Sequence, residues 1–157
     1  MEYSFTIRKA VKSDSADILE ILRNSFAQYV KNSGITLPLE AMLDDIPAIE
    51  RDIETMDVFI AHMDGMPVGT VRVAAQRGAP AQLTKLGVVT GFHNIGIGKS
   101  LMNLVDKVIL AKGATSLELY TASKNKGLMR FYYGLGFYVD STSKDRGYIR
   151  ALMRKDY

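Results

Sequence analysis

The chain has 157 residues, no cysteine, two histidines and a formal net charge of +3, which suits one domain, 1–157, with a real core. The absence of cysteine removes disulfides, a thiolate nucleophile and any thiolate-built zinc site, and with His62 and His93 alone no metal cluster is expected. So small a charge, with no basic stripe of interleaved aromatics, argues against nucleic acid; no apolar run is long enough to cross a bilayer and MEYSFTIRKA lacks a signal-peptide layout, so no membrane is expected and the cytoplasm is the default compartment.

Tyr3, Phe5 and Ile7 alternate with polar residues, the period of a half-buried strand. Ser13 offers a helix cap, with Asp14 and Asp17 near the positive end of the dipole. Ile18, Leu22, Phe26 and Tyr29 supply a buried face, and Gly34 ends the helix. From Leu37 to Asp57 the pattern is helical, with Pro38 near the start and Pro47 expected to break or kink it. This stretch is acidic: Glu40, Asp44, Asp45, Glu50, Asp52, Glu54 and Asp57 face a single basic residue, Arg51. Charge runs of this kind are usually a solvated helix face. The sharper reading is a surface that attracts a cationic amine.

Val58 to Ala61 form the next strand, Asp64-Gly65 is a hairpin turn signal, and Pro67, Val68, Val71 and Val73 carry the strand that returns. Gln76 to Ala81 reads as a loop before Gln82 to Leu86 enters an apolar strand that continues through Val88 and Val89. There the strand gives way to a loop holding Gly96 and Gly98. Leu101, Leu104, Val105, Val108 and Ile109 then recur at helical spacing until Gly113 stops the helix. The two glycines let the backbone turn tightly, so that free amide N–H groups at the helix start point at one anion, an arrangement suited to phosphate or pyrophosphate. A P-loop requires glycine where His93 stands. A dinucleotide fingerprint requires it where Leu101 stands. A plain strand-to-helix turn explains one glycine more easily than two.

Leu117 to Thr121 is a short alternating strand, and Asn125 to Tyr133 has helical spacing through Leu128, Met129 and Tyr132. Gly136 to Val139 and Tyr148 to Leu152 read as two closing strands.

Two of these stretches carry a resemblance. His93-Asn94-Ile95-Gly96-Ile97-Gly98 resembles the pyrophosphate loop Q/R-x-x-G-x-G/A of the GNAT N-acetyltransferase family. Asn125 to Phe137, NKGLMRFYYGLGF, resembles that family's N-x-x-A-x-x-F/L-Y-x-x-x-G-F, with Leu128 in the alanine position. Ile7-Arg8-x-Ala10-x-x-x-Asp14 is similar to the opening of many members, so the resemblance covers nearly the whole chain. It implies an α/β (α+β) fold with a mixed, mostly antiparallel central sheet, flanked by helices and splayed between the fourth and fifth strands so that pantetheine enters like an added strand. It also implies an acyltransferase that uses acetyl-CoA as co-substrate and no metal. The acetyl group would pass to a primary amine of a small-molecule or peptide acceptor by direct attack in a ternary complex.

By the same resemblance, Val88 and Val89 offer main-chain groups to pantetheine. His93, Asn94, Gly96, Ile97, Gly98, Lys99 and Ser100 surround the pyrophosphate. Asn125 bonds the pantetheine arm or merely caps the following helix, and Tyr132 stands by the thioester sulfur as general acid or is simply a core aromatic. The chain departs from the family at His93, where Gln or Arg is usual, and at Thr90-Gly91, where Pro-Glu is common. Many members place a glutamate base near the fourth strand, where this chain has Gln82 and Lys85. Glu118 is a distant candidate whose simpler reading is an ion pair. A CoA cleft without an assigned base also admits a non-catalytic acyl-CoA-binding or sensing module, and a homodimer is an admissible assembly.

Overall fold

The computed structural model describes residues 4–36 and 44–157. Seven strands form one sheet: β1 (Thr6–Lys9), β2 (Asp57–Met63), β3 (Met66–Ala74), β4 (Pro80–Val88), β5 (Ser116–Ala122), β6 (Tyr138–Ser143) and β7 (Arg150–Asp156), in the order β1-β2-β3-β4-β5-β7-β6. Among the described residues four helices accompany them: α1 (Ser15–Ser33), α2 (Ile46–Thr55), α3 (Ile97–Lys112) and α4 (Lys126–Gly134). All neighbouring strands run antiparallel except β4 and β5.

That parallel pair positions the site. It joins Pro80, Ala81 and Gln82 to Ser116, Leu117 and Glu118, and then stops. Beyond Gln82, β4 stays paired with β3 as far as Val88, while β5 stays paired with β7 as far as Ala122. Two strands that part in mid-sheet expose backbone edges to whatever enters between them. The expected splay between the fourth and fifth strands is therefore present.

Strand alternation separates two cores. Val58 and Ile60 of β2 join Ile18, Ile21 and Leu22 of α1 and Ile49 of α2, whereas Phe59 and Ala61 join the layer formed with Leu101, Val105 and Ile109 of α3. Two glycines set the helix distances. A Cβ on Gly87 of β4 would lie 2.5 Å from the Ser25 hydroxyl of α1, and one on Gly69 of β3 would lie 2.9 Å from Ile97 at the start of α3. Both helices thus approach the strands more closely than a side chain would permit.

Several local expectations need correction. Ser13 does not cap α1; it lies in a 3₁₀ turn (Lys12–Asp14) that precedes the helix. Asp14 fixes that turn, accepting from the Val11 N–H at 2.7 Å and from both terminal nitrogens of Arg8. Pro47 does not break a helix but begins one. Asp45 caps α2 by accepting from the Ala48 N–H at 2.9 Å, and a proline in the first turn lacks an N–H that would have had no helical partner. β4 starts at Pro80, inside the expected loop, because Pro80 and Ala81 are held by β5. β7 starts later and runs further than expected, to Asp156, because β5 pairs with it throughout. Tyr3 and the proposed helical start at positions 37–43 lie outside the described residues.

Candidate active site

The opened edge of β4 has a definite polarity. Val88 stands opposite Gly69 of β3, yet it is the Val89 N–H that bonds the Val68 carbonyl, at 2.8 Å. This is the pattern of an antiparallel pair that exchanges no bonds, so the N–H and C=O of Val88 point to the other edge, into the gap left by β5. Consecutive strand residues direct their backbone to opposite edges. Val89 faces β3 instead, its N–H taken by Val68 and its carbonyl accepting from Phe92 N–H at 3.0 Å.

The loop after β4 is anchored to α1, where Asn24 accepts from the Thr90 N–H at 2.8 Å. It then turns through Asn94 and Gly96, both at positive φ (65° and 94°). At 94° a side chain would be strained, so Gly96 is required by conformation. It precedes α3 as a cap with no side chain to offer, and the helix start leaves the amides of Ile97, Gly98 and Lys99 without intrahelical acceptors. Ser100 is different. Its N–H already donates to the Gly96 carbonyl at 2.9 Å, as the first bond of the helix must, which leaves only its hydroxyl for any other partner. Gly98 lies over Phe131, whose ring a Cβ would meet at 3.4 Å. His93 and Lys99 are exposed at the rim.

A cavity of about 560 Å³ runs along this edge, lined by Val88, His93, Asn94, Gly96, Ile97, Gly98, Lys99 and Asn125 together with Phe26 and Tyr29 of α1. A second cavity, of about 500 Å³, lies on the other side of the same opening, bounded by Gln82 to Leu86, Tyr120, Thr121, Tyr132, Tyr148 and Arg150. Phe26, Tyr29, Leu86 and Leu128 line both. The two cavities thus adjoin at these four residues. Val89 and Ser100 line neither cavity.

Asn125 fulfils its structural reading in full. Its oxygen accepts from the Leu128 N–H at 3.2 Å, capping α4, and its amide donates to the Ser33 hydroxyl at 3.2 Å in a buried contact with α1. One amide hydrogen remains for a ligand. Tyr132 is also well packed, 4% exposed and edge-on to Phe131 and Phe137 at 5.3 and 5.5 Å, while still lining the second cavity. Burial, with a smaller effect from Tyr29, raises its phenol above the usual range, so it carries its proton at neutral pH.

Helical spacing places Tyr29 only on the buried face of α1; its position between the two cavities carries no local sequence signal. Its hydroxyl accepts from the Ala122 N–H at 2.8 Å. Burial, assisted by Tyr148, pushes its phenol up to about 12.

Glu118 follows its simpler reading: Gln82 donates to it at 3.0 Å and Arg154 at 3.4 Å. The acidic run is neither a plain solvated face nor a free carboxylate surface. Asp44 and Asp52 grip the fully buried Arg72 at 2.8 and 2.7 Å, Glu50 and Glu54 pair with Lys12, and Asp57 holds Lys9 and Lys112. Lys85 lies 5.1 Å from the centre of the Phe26 ring, its ammonium held below the ordinary lysine range by burial against the opposing pull of Asp44.

The comparisons agree with this geometry. The family model described as Acetyltransferase (GNAT) family matches residues 18–137. An uncharacterized N-acetyltransferase of Methanocaldococcus jannaschii is 25% identical over 162 residues, covering 96% of this chain and 67% of the relative. Among solved structures, the PaiA N-acetyltransferase of Thermoplasma acidophilum in complex with coenzyme A superposes with a TM-score of 0.87 at 23% identity, covering 98% of this chain and 99% of that one. A ribosomal-protein-alanine N-acetyltransferase of Brucella melitensis superposes with a TM-score of 0.75 at 18% identity, covering 97% and 99%. At such identities the structural matches establish a shared fold.

Proposed function

Because the chain belongs to the GNAT acetyltransferase family, we propose that it binds acetyl-CoA in the first cavity and transfers the acetyl group to a primary amine held in the second, with 1–157 acting as one unit. The observation that carries this reading is the meeting of the two cavities at Phe26, Tyr29, Leu86 and Leu128, where β4 and β5 part.

The residues divide the work by chemistry. The free amides of Ile97, Gly98 and Lys99, at the positive end of α3, suit a pyrophosphate, with His93 and Lys99 at the rim. The Val88 backbone suits the amide groups of a pantetheine arm, which bond as an added strand. Asn125, with one amide hydrogen unused, lines the same cavity. At the junction, the amine attacks the thioester carbonyl directly, since the chain has no cysteine to carry an acyl group. As the carbon–sulfur bond breaks, the protonated phenol of Tyr132 donates to the departing sulfur, and the proton that the amine nitrogen loses passes through solvent to restore the phenol.

A second reading, a non-catalytic acyl-CoA-binding module, is favoured by one observation. Asp44, the one carboxylate that lines the second cavity among the described residues, and Glu118, at the last pair of β4 with β5, are already held by Arg72 and Arg154. Thiol release from acetyl-CoA with an amine panel, repeated with a longer acyl-CoA, separates the two. Amine-dependent thiol release is expected; tight CoA binding with no release from any amine replaces the transferase reading with the module.

A further inference from the structure

The second cavity is lined among the described residues by three cationic side chains, Lys85, Arg146 and Arg150, and by one carboxylate, Asp44. Asp44 is held from behind by Arg72, which it shares with Asp52. A doubly cationic amine entering here would meet like charge at the walls.

Arg150 is the fixed member of the three. It opens β7, its backbone set between Ala122 of β5 and Ser143 of β6. Its guanidinium lies 4.3 Å from the centre of the Tyr120 ring, and Nη2 donates to both oxygens of Asp145 at 3.2 and 3.3 Å. The side chain is 12% exposed; its Nε is closed to solvent and has no acceptor among the described residues, so the donor capacity open to a ligand lies on the terminal nitrogens. A planar guanidinium fixed by a ring and a carboxylate, with donor capacity left over, is the kind of group that recognises a carboxylate.

We propose that the acceptor carries a carboxylate close to its amine, and that Arg150, with Arg146 at the rim, binds that carboxylate; the substrate class is an amino acid or a similar zwitterionic amine. This rests on the acetyltransferase reading of the same site. It also eases the lack of an assigned base, because cationic walls favour the neutral form of the amine, the form that attacks.

The test uses matched amines with acetyl-CoA: lysine, lysinamide and 1,5-diaminopentane, then leucine, leucinamide and 3-methylbutylamine. The member with the carboxylate is expected to exceed its amide and its decarboxylated analogue in kcat/KM by about tenfold or more, the scale of one charge-assisted contact. Arg150→Lys is expected to collapse that ratio through KM, and Arg146→Gln to reduce it, with the CoA dissociation constant reporting that the fold is intact. A diamine or amide turned over as well as the amino acid, or a ratio unchanged in a folded Arg150→Lys protein, overturns the proposal while leaving the acetyltransferase reading in place. Where no amine in the panel turns over, calorimetric binding of the same compounds to the CoA-saturated protein decides. A carboxylate member that binds no tighter than its amide overturns the inference, whereas absence of CoA binding overturns the reading beneath it.

Discussion

The Tyr29 hydroxyl accepts a hydrogen bond from the Ala122 N–H at 2.8 Å, so a side chain of α1 occupies the end of β5 that β4 no longer reaches. At Ala122, the donor that the splay would leave open is therefore taken by a side chain. Tyr29→Phe removes the acceptor and leaves a part-buried N–H unpaired, which costs about 1–3 kcal/mol. Urea denaturation of the two proteins is expected to show a lower midpoint for the variant at unchanged slope. An unchanged midpoint means that the Ala122 N–H finds another acceptor and that Tyr29 does not hold the opening.

Gly98 tests the pyrophosphate assignment. A Cβ there meets Phe131 at 3.4 Å and Val88 at 3.8 Å, ordinary contacts that the fold accepts, so the missing side chain is not demanded by packing. The branched methyls of Gly98→Val would fill the space where a ligand's backbone contacts must form. The parent is expected to gain about 2.7 kcal/mol of stability from CoA at a hundredfold excess over its dissociation constant. The folded variant is expected to lose that gain. An equal rise in Tm for both proteins would place the anion elsewhere.

The carboxylates that fasten β1 to the helices predict an acid limit. Arg8, together with the Val11 N–H, holds Asp14 below its ordinary value. Burial raises Asp57, but Lys112 and Lys9 more than offset it. A depressed folded pKa contributes stability that is complete above the unfolded value, about 3.9 for aspartate, and is lost as pH falls through the folded pKa. Asp14→Asn is thus expected to be less stable than the parent at pH 7, by about 1–3 kcal/mol for a charged hydrogen-bonded partner. The gap should close as the pH drops below about 4. A gap of undiminished size at pH 2 would assign the loss to packing.

How legible this was depended on whether local sequence determined the feature. Gly34, Gly96 and Gly113 all adopt positive φ, a backbone property that glycine announces, and the strand, loop and helix around the anion site followed from it. Pro47 misled because proline breaks a helix in its interior and starts one at its first turn; only Asp45 as cap tells the cases apart. The motif does not distinguish Val89 or Ser100 from their neighbours, because it carries neither strand parity nor a count of helical amides, and the bonds of their N–H groups to Val68 and Gly96 show only in the fold. The pairing of Asp44 and Asp52 with Arg72 spans 28 and 20 residues, and Tyr29 meets Ala122 across 93, distances over which periodicity says nothing.

Tyr132 offers the most specific chemical test. Its phenol is buried against Phe131 and Phe137 and raised above the usual range, so across pH 6 to 9 it remains protonated and able to donate. Tyr132→Phe keeps the ring and both edge-on contacts, and is expected to leave folding and CoA affinity nearly unchanged. A positioned proton donor contributes about 10²–10⁴-fold when its step limits turnover. Here the low end applies, because a thiolate leaves readily and a phenol of raised pKa is a weak acid. The loss is expected in kcat and in kcat/KM alike, the mark of a contact made in the transition state. Slow product release would hide it in steady state, so the measurement is a single-turnover acetyl transfer across that pH range. A variant as fast as the parent throughout would make Tyr132 a packing residue and leave the sulfur to be protonated from water.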